Sequence, residues 1–234
     1  MISIYDDDLG QCKGCEPTYT TMVKTTERIS QIIDKPMRHH TFPLSTIKSQ
    51  IDLEEKIGAI TTNSNDVTLL HTTAHGFCKT IDNKMTRFII KDQKKTELDL
   101  NLQPVYNILS ETDASLKIFL LDACSVTQGT TGKRGDSYDA NLWETLLNEA
   151  QKEVIINLFS QKGIIDYRSS KCCVTCKSWG TDEKGGYFTK NFSIALAKIQ
   201  GGWNAIFEYA AQASEMDALQ NNGKLQEACD HSRD

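Results

Sequence analysis

No stretch of this 234-residue chain approaches the roughly 18 consecutive apolar residues that a membrane-spanning helix requires. The opening residues, MISIYDDDLG, lack the basic and apolar regions of a secretory leader, so a cytoplasmic location is the default expectation, with no membrane partner. Excess positive charge is missing too. The 26 Lys and Arg are outnumbered by 31 Asp and Glu, for a formal net charge of -5, which counts against a nucleic-acid partner. Internal repeats, low-complexity linkers and disorder-prone composition are also absent. Residues 1–234 are therefore expected to form one α/β domain with a full-sized core.

Cysteine, by contrast, is plentiful, at positions 12, 15, 78, 124, 172, 173, 176 and 229. A disulfide framework typifies short secreted chains, so most of these thiols are expected to be reduced, and at least one to be kept for its chemistry. Cys12-x2-Cys15 and Cys173-x2-Cys176 have the spacing of zinc ligands, but they lie too far apart in sequence for a zinc ribbon. They are weak zinc candidates, and reduced loop thiols or a redox-sensitive pair are the alternatives. A thioredoxin-like role is disfavoured, because neither pair reads as opening a helix after a strand.

Three continuous apolar runs read as buried parallel strands: Val67–His71 (VTLLH), Lys117–Leu121 (KIFLL) and Val154–Phe159 (VIINLF). A short strand is expected at Met1–Tyr5 and a hairpin near Phe88–Lys91. Helices are expected over about 18–33, 45–60, 100–109, 140–150, 189–199 and 203–219. Pro36 and Gly201–Gly202 act as stops. The rhythm implies a mostly parallel sheet with helices on both faces. Residues 125–139 and 161–186 read as loops.

In such a sheet, sites form at the carboxyl ends of strands. The first run leads into TTAHGF, which puts His75 and Gly76 just past a strand. The second leads into DACS, which does the same for Cys124, 49 residues later. A thiol is a good nucleophile only as a thiolate, and a neighbouring imidazole can make it one. Gly76 and Cys124 could supply the N–H groups of an oxyanion hole. Taken singly, a cysteine after a strand is usually a core residue and a loop histidine usually surface. Their joint order favours catalysis. His71 is a rival base, but it lies within the strand pattern and reads as a core histidine.

HG at one strand end and DAC at the next resemble the caspase-like superfamily of cysteine peptidases: caspases, metacaspases, paracaspases and bacterial relatives. Gly185–Leu196 (GGYFTKNFSIAL) is similar to a late loop-to-helix segment of bacterial members. The resemblance implies a caspase-like three-layer sandwich and a cysteine endopeptidase. Ser125, with no glycine after it, departs from the caspase pentapeptide. A further strand usual after the last helix has no evident counterpart in the polar tail GKLQEACDHSRD, so that strand is expected either to be missing or to be contributed differently.

Asp122 stands where caspases carry Gln and metacaspases Asp. The resemblance thus implies cleavage after Arg or Lys, with Asp122 the acidic floor of the S1 pocket. A carboxylate pairs well with a guanidinium. Thr73 and Asp166 are further candidates for the wall of that pocket, and a structural Asp capping a loop is the plainer reading of Asp122. Lys133 and Arg134 offer a self-cleavage site for a proenzyme, or are simply a solvated loop. Expected partners are protein or peptide substrates with basic P1 residues, and an activating partner or larger complex is left open. The chemistry needs no cofactor. Many metacaspases need calcium, so the resemblance leaves calcium open as an activator. The competing functions are a catalytically silent or partner-activated scaffold, and a zinc-stabilised interaction domain.

Overall fold

The computed structural model describes residues 1–7, 12–81, 84–89, 99–123, 143, 146–170, 178, 180–181, 185–222 and 226–232. Its centre is a six-stranded sheet. The strands are β1 (Ile2–Tyr5), β2 (His40–Pro43), β3 (Val67–Ala74), β7 (Leu116–Ala123), β8 (Gly163–Arg168) and β11 (Cys229–Asp230), in spatial order β11-β8-β7-β3-β1-β2. All neighbours run parallel except β11, which lies antiparallel to β8. The mixed α/β architecture expected from the sequence is the one observed. The tail read as strandless in fact supplies β11.

A three-stranded antiparallel sheet, β4 (Gly76–Ile81), β5 (Lys84–Ile89) and β6 (Leu100–Asn101), leaves the carboxyl end of β3. A two-stranded ribbon, β9 (Gly180–Thr181) with β10 (Gly185–Gly186), precedes the penultimate helix.

Six α-helices have described bounds, α1 (Cys15–Ile32), α2 (Gln50–Gly58), α3 (Leu102–Ser110), α4 (Glu149–Ser160), α5 (Tyr187–Lys198) and α6 (Trp203–Asn222), and a 3-10 turn, Leu44–Thr46, precedes α2. Their ends are chemically marked. Ser49, Asn101 and Asn148 accept hydrogen bonds from the backbone N–H groups of Asp52, Gln103 and Gln151, capping α2, α3 and α4. α1 stops where Asp34 takes φ 51°, and the Lys35 N–H returns to the Ser30 carbonyl at 3.1 Å. This is a helix stop of the Schellman type, with an acid in the place glycine usually holds.

VIINLF is not a strand. It belongs to α4, where Gln151, Ile155, Leu158 and Phe159 are buried at helical spacing and Ile156 points outward, 47% exposed. A short apolar run fits either period, and here the run continues a capped helix. The third parallel strand is β8, inside the stretch read as a loop. Of the helix expected over 140–150, Trp143 and Leu146 are helical, with the Leu147 N–H donating to the Trp143 carbonyl at 2.9 Å, and α4 starts at Glu149.

Two apolar cores sandwich the sheet. One joins Leu69, Ile118, Leu120 and Tyr167 to α1, α4, α5 and α6. The other joins Ile2, Ile4, Leu70, Phe119 and Leu121 to α2 and α3. Side chains alternate along a strand, so each strand feeds both cores. Burying a large side chain such as Phe192 or Tyr167 contributes about 1.5–3 kcal/mol.

Candidate active site

β3 and β7 are paired along their whole described length, and their last residues, Ala74 and Ala123, are Cα partners. Each strand thus ends at the same level. His75 follows Ala74 directly, half-buried, and Gly76 opens β4. His75 has interaction partners within the structure. The residue after Ala123 is Cys124, which lies outside the described residues, as do Lys133 and Arg134.

One step back from that edge, Thr73 and Asp122 are Cα partners, so they share a face, the one covered by α1 and α5. Both are buried, at 2% and 7% exposure. Asp122 Oδ1 accepts from Ser178 Oγ at 2.8 Å. Its Oδ2 accepts from the Thr189 N–H at 3.0 Å and from Thr189 Oγ1 at 2.8 Å. Thr189 is the third residue of α5, whose N-cap, Gly186, offers no side chain. Asp122 therefore caps α5 from the neighbouring sheet, where a negative charge meets the positive end of the helix.

The GGY segment makes this possible. A Cβ on Gly186 would collide with the Asp122 carboxylate, and one on Gly185 (φ 77°) with Thr18 of α1. The Gly186 N–H donates to Thr18 Oγ1 at 2.6 Å. Two glycines let a ribbon pass between α1 and β7 at contact distance.

His71 lies two residues before Thr73 on the same face, fully buried. Its Nε2 is 3.3 Å from Thr189 Oγ1, and its Nδ1 has no partner among the described residues. Burial holds its pKa down at about 3, so the ring is neutral. His71 is thus a core histidine, as its place in the strand pattern suggested.

No protein-family model matches the chain, and no curated protein matches it in sequence. Solved structures do match. Caspase-1 from Spodoptera frugiperda superposes with a TM-score of 0.59 at 13% identity, covering 98% of this chain and 84% of its own. A Geobacter sulfurreducens protein superposes with a TM-score of 0.55 at 12% identity, covering 99% of this chain and 90% of its own. The fold is caspase-like. At these identities the likeness carries the fold, not the residues that act on it or the bacterial type.

Within this caspase-like fold Asp166 does not join Asp122. In the register of β7 with β8, Asp166 pairs with Phe119 and so faces α2 and α3, the opposite side. There Asp166 is held by both arms of Arg168, at 3.1 Å from Nε and 2.6 Å from Nη2. Burial pulls the Arg168 guanidinium down, but the hydrogen bonds and charge of Asp166 outweigh it, and the net shift is upward. Asp166 is withdrawn as an S1 wall residue. Its carboxylate is spent on a buried ion pair.

Cys12 and Cys15 are joined in a disulfide, with Cα atoms 5.4 Å apart. Disulfide sulfurs are not thiolates, so this pair is not a zinc ligand set in the form described. Cys173 and Cys176 lie outside the described residues. Cys78 is also disulfide-bonded, and Cys229 is a thiol. Among the described cysteines, then, the expectation of mostly reduced thiols does not hold. Disulfides persist in oxidising compartments, so the cysteine pattern does not itself favour the cytoplasm. The Cys12-x2-Cys15 pair does follow a strand and open a helix, since α1 begins at Cys15. That corrects the ground on which a redox role was set aside.

Among the described residues no group of three or more His, Cys, Asp or Glu is arranged to hold a metal ion. Asp7, just past β1, accepts from the Ser45 N–H and hydroxyl. No helix is long and apolar enough to cross a membrane among these residues.

The sequence reading missed Thr189 and Ser178. Thr189 had a signal: a Thr three positions after a side-chain-less N-cap needs an acceptor from elsewhere. Ser178 had none, because it approaches Asp122 from a loop.

Proposed function

We propose that this chain is a cysteine endopeptidase that hydrolyses peptide bonds after Arg or Lys, with Cys124 as nucleophile and His75 as base. The reading is supported above all by the register of β3 and β7. The strands end on paired residues, Ala74 and Ala123, and in sequence the residues that follow are an imidazole, His75, and a thiol, Cys124.

The chemistry then follows from the residue types. His75 takes the proton of the Cys124 thiol, and the thiolate attacks the scissile carbonyl carbon. The negative charge that develops on the carbonyl oxygen is met by the N–H groups of Gly76 and Cys124. Collapse of the intermediate breaks the C–N bond as His75 gives its proton to the leaving amine. Water, deprotonated by His75, then releases the acyl group from sulfur. Asp122, one residue inside the strand end, provides the carboxylate for a basic P1 side chain, with Thr73 beside it. The pair Lys133–Arg134 is a self-cleavage site compatible with that specificity, and calcium is a candidate activator.

The test uses fluorogenic peptides ending in Arg, Lys or Asp, with and without calcium, beside a Cys124→Ala control. Cleavage after Arg or Lys is expected, falling on the order of a thousandfold or more in the control. Cleavage only after Asp would keep the dyad and remove Asp122 from the pocket. No cleavage under any condition, including after proteolytic nicking at Lys133–Arg134, would favour a silent or partner-activated scaffold.

A further inference from the structure

Thr189 has one hydroxyl hydrogen and two neighbours that compete for it. Asp122 Oδ2 is 2.8 Å from Oγ1, and His71 Nε2 is 3.3 Å from it. A carboxylate only accepts, so the hydroxyl hydrogen goes to Asp122, and His71 must donate its own Nε2–H to the Thr189 oxygen. That choice of tautomer leaves Nδ1 as the bare atom, and among the described residues Nδ1 is the one without a partner. The neutral state of His71 agrees with this arrangement.

We propose that Thr189, held in turn by His71, is a positioning residue that sets the direction in which Asp122 presents its carboxylate to a basic P1 side chain. The inference rests on the S1 role proposed above for Asp122 and extends it to a chain of three side chains from β3, α5 and β7. Oδ2 is tied by the hydroxyl and N–H of Thr189, and Oδ1 by Ser178. The rotation of the carboxylate is thereby fixed, and of its roughly four lone-pair sites one, on Oδ1, is left for a cation. Gly186 seals one side, since no side chain fits between it and the carboxylate. A fixed acceptor forfeits less conformational freedom when a guanidinium docks than a rotating one.

Thr189→Val keeps the shape and the backbone N–H but removes the hydroxyl. Thr189→Ser restores it. Two readouts are used. Hydrolysis of Arg-ending peptides follows kcat and KM. Binding of acetyl-arginine-amide to the Cys124→Ala protein is followed by NMR titration, with acetyl-norleucine-amide as the neutral control.

Thr189→Val is expected to raise both KM and the dissociation constant about tenfold, the size of one hydrogen bond to a charged group, with kcat nearly unchanged. Thr189→Ser should return both to within about threefold of the parent on the same ground. His71→Leu should give a smaller rise in the same direction. Equal binding by the parent and Thr189→Val overturns the inference, and hydrolysis by the parent then leaves the peptidase reading standing. Binding without hydrolysis removes the peptidase reading, while the Val–Ser contrast still decides the role of Thr189. A parent protein that binds no arginine amide overturns the S1 assignment and this inference together. Equal loss for the neutral control identifies Thr189 as merely structural.

Discussion

The two faces of the central sheet are built by the same strands and yet differ in kind. Toward α2 and α3, β3 and β7 present Leu70, Thr72, Ala74, Phe119, Leu121 and Ala123, and a charged pair, Asp166 with Arg168, is closed on itself. Toward α1 and α5, the same strands begin apolar, with Leu69, Ile118 and Leu120, and turn polar as they approach the carboxyl edge: His71, Thr73 and Asp122. The helices follow suit. α1 meets α5 through buried hydroxyls, with Thr25 Oγ1 against Ser193 Oγ and Thr18 against the ribbon that precedes α5. One face is a core throughout. The other is a core that becomes a site, where His71, Thr18 and Asp122 find partners in other elements.

The largest expected effect tests the closed pair on the apolar face. Arg168→Met leaves Asp166 buried without its cation and should cost about 3–5 kcal/mol in urea unfolding. Arg168→Met with Asp166→Leu should recover most of that loss, because an apolar face does not need the pair. A double variant as unstable as the single one would make the two faces alike.

The polar face should be the one that senses acid. His71 has a folded pKa of about 3 against an ordinary 6.5, so it is neutral in the fold and charges more readily when unfolded. Its contribution is present above pH 6.5 and is lost as the pH falls toward 3. Between pH 6.5 and 4 this amounts to on the order of 3 kcal/mol. His71→Leu should flatten that part of the stability profile, whereas an unchanged slope would assign the acid response to the carboxylates.

Smaller effects bound the comparison. Cys12→Ser opens a disulfide that closes a very short loop at the start of α1, so it should cost about 2 kcal/mol at most. Loss of the whole fold on reduction would make that edge the keystone of the polar face. At the other end of the scale, Ile51→Gln on α2 should change stability by no more than about 0.5 kcal/mol, since Ile51 is 67% exposed. A larger loss would show that the outer surface of the apolar layer is covered in solution.

Much of this was legible in the chain. VTLLH and KIFLL are strands because continuous β-branched and leucine-rich runs suit a sheet covered on both sides. α1, α2, α3, α5 and α6 follow from apolar spacing and stops, with boundaries moved by a few residues. The misreadings have physical causes. VIINLF was open to either period, and the asparagine cap at Asn148 decided for a helix. β8 opens with a glycine and carries an Asp and an Arg, so it lacks an apolar signature. Its charges cancel only because they are two apart on one face. β2 and β11 are edge strands, short and weakly apolar, made by pairing rather than by propensity.

By itself the amino-acid order determined that His75–Gly76 and Cys124 would each follow a buried strand, since local apolar runs and their endings are local properties. It also set two adjacent glycines, Gly185 and Gly186, at the end of a stretch that reads as a loop leading into a helix. Only the tertiary structure decided which carboxylate faces which side. Asp122 and Asp166 both sit near strand ends, and the register of parallel strands, set by packing across the whole sheet, sends one to α5 and the other to Arg168. The meeting of Asp122 with Thr189, 67 residues away in sequence, belongs to the same class of fact. A helix N-terminus needs an acceptor, and only the assembled layers say which strand provides it.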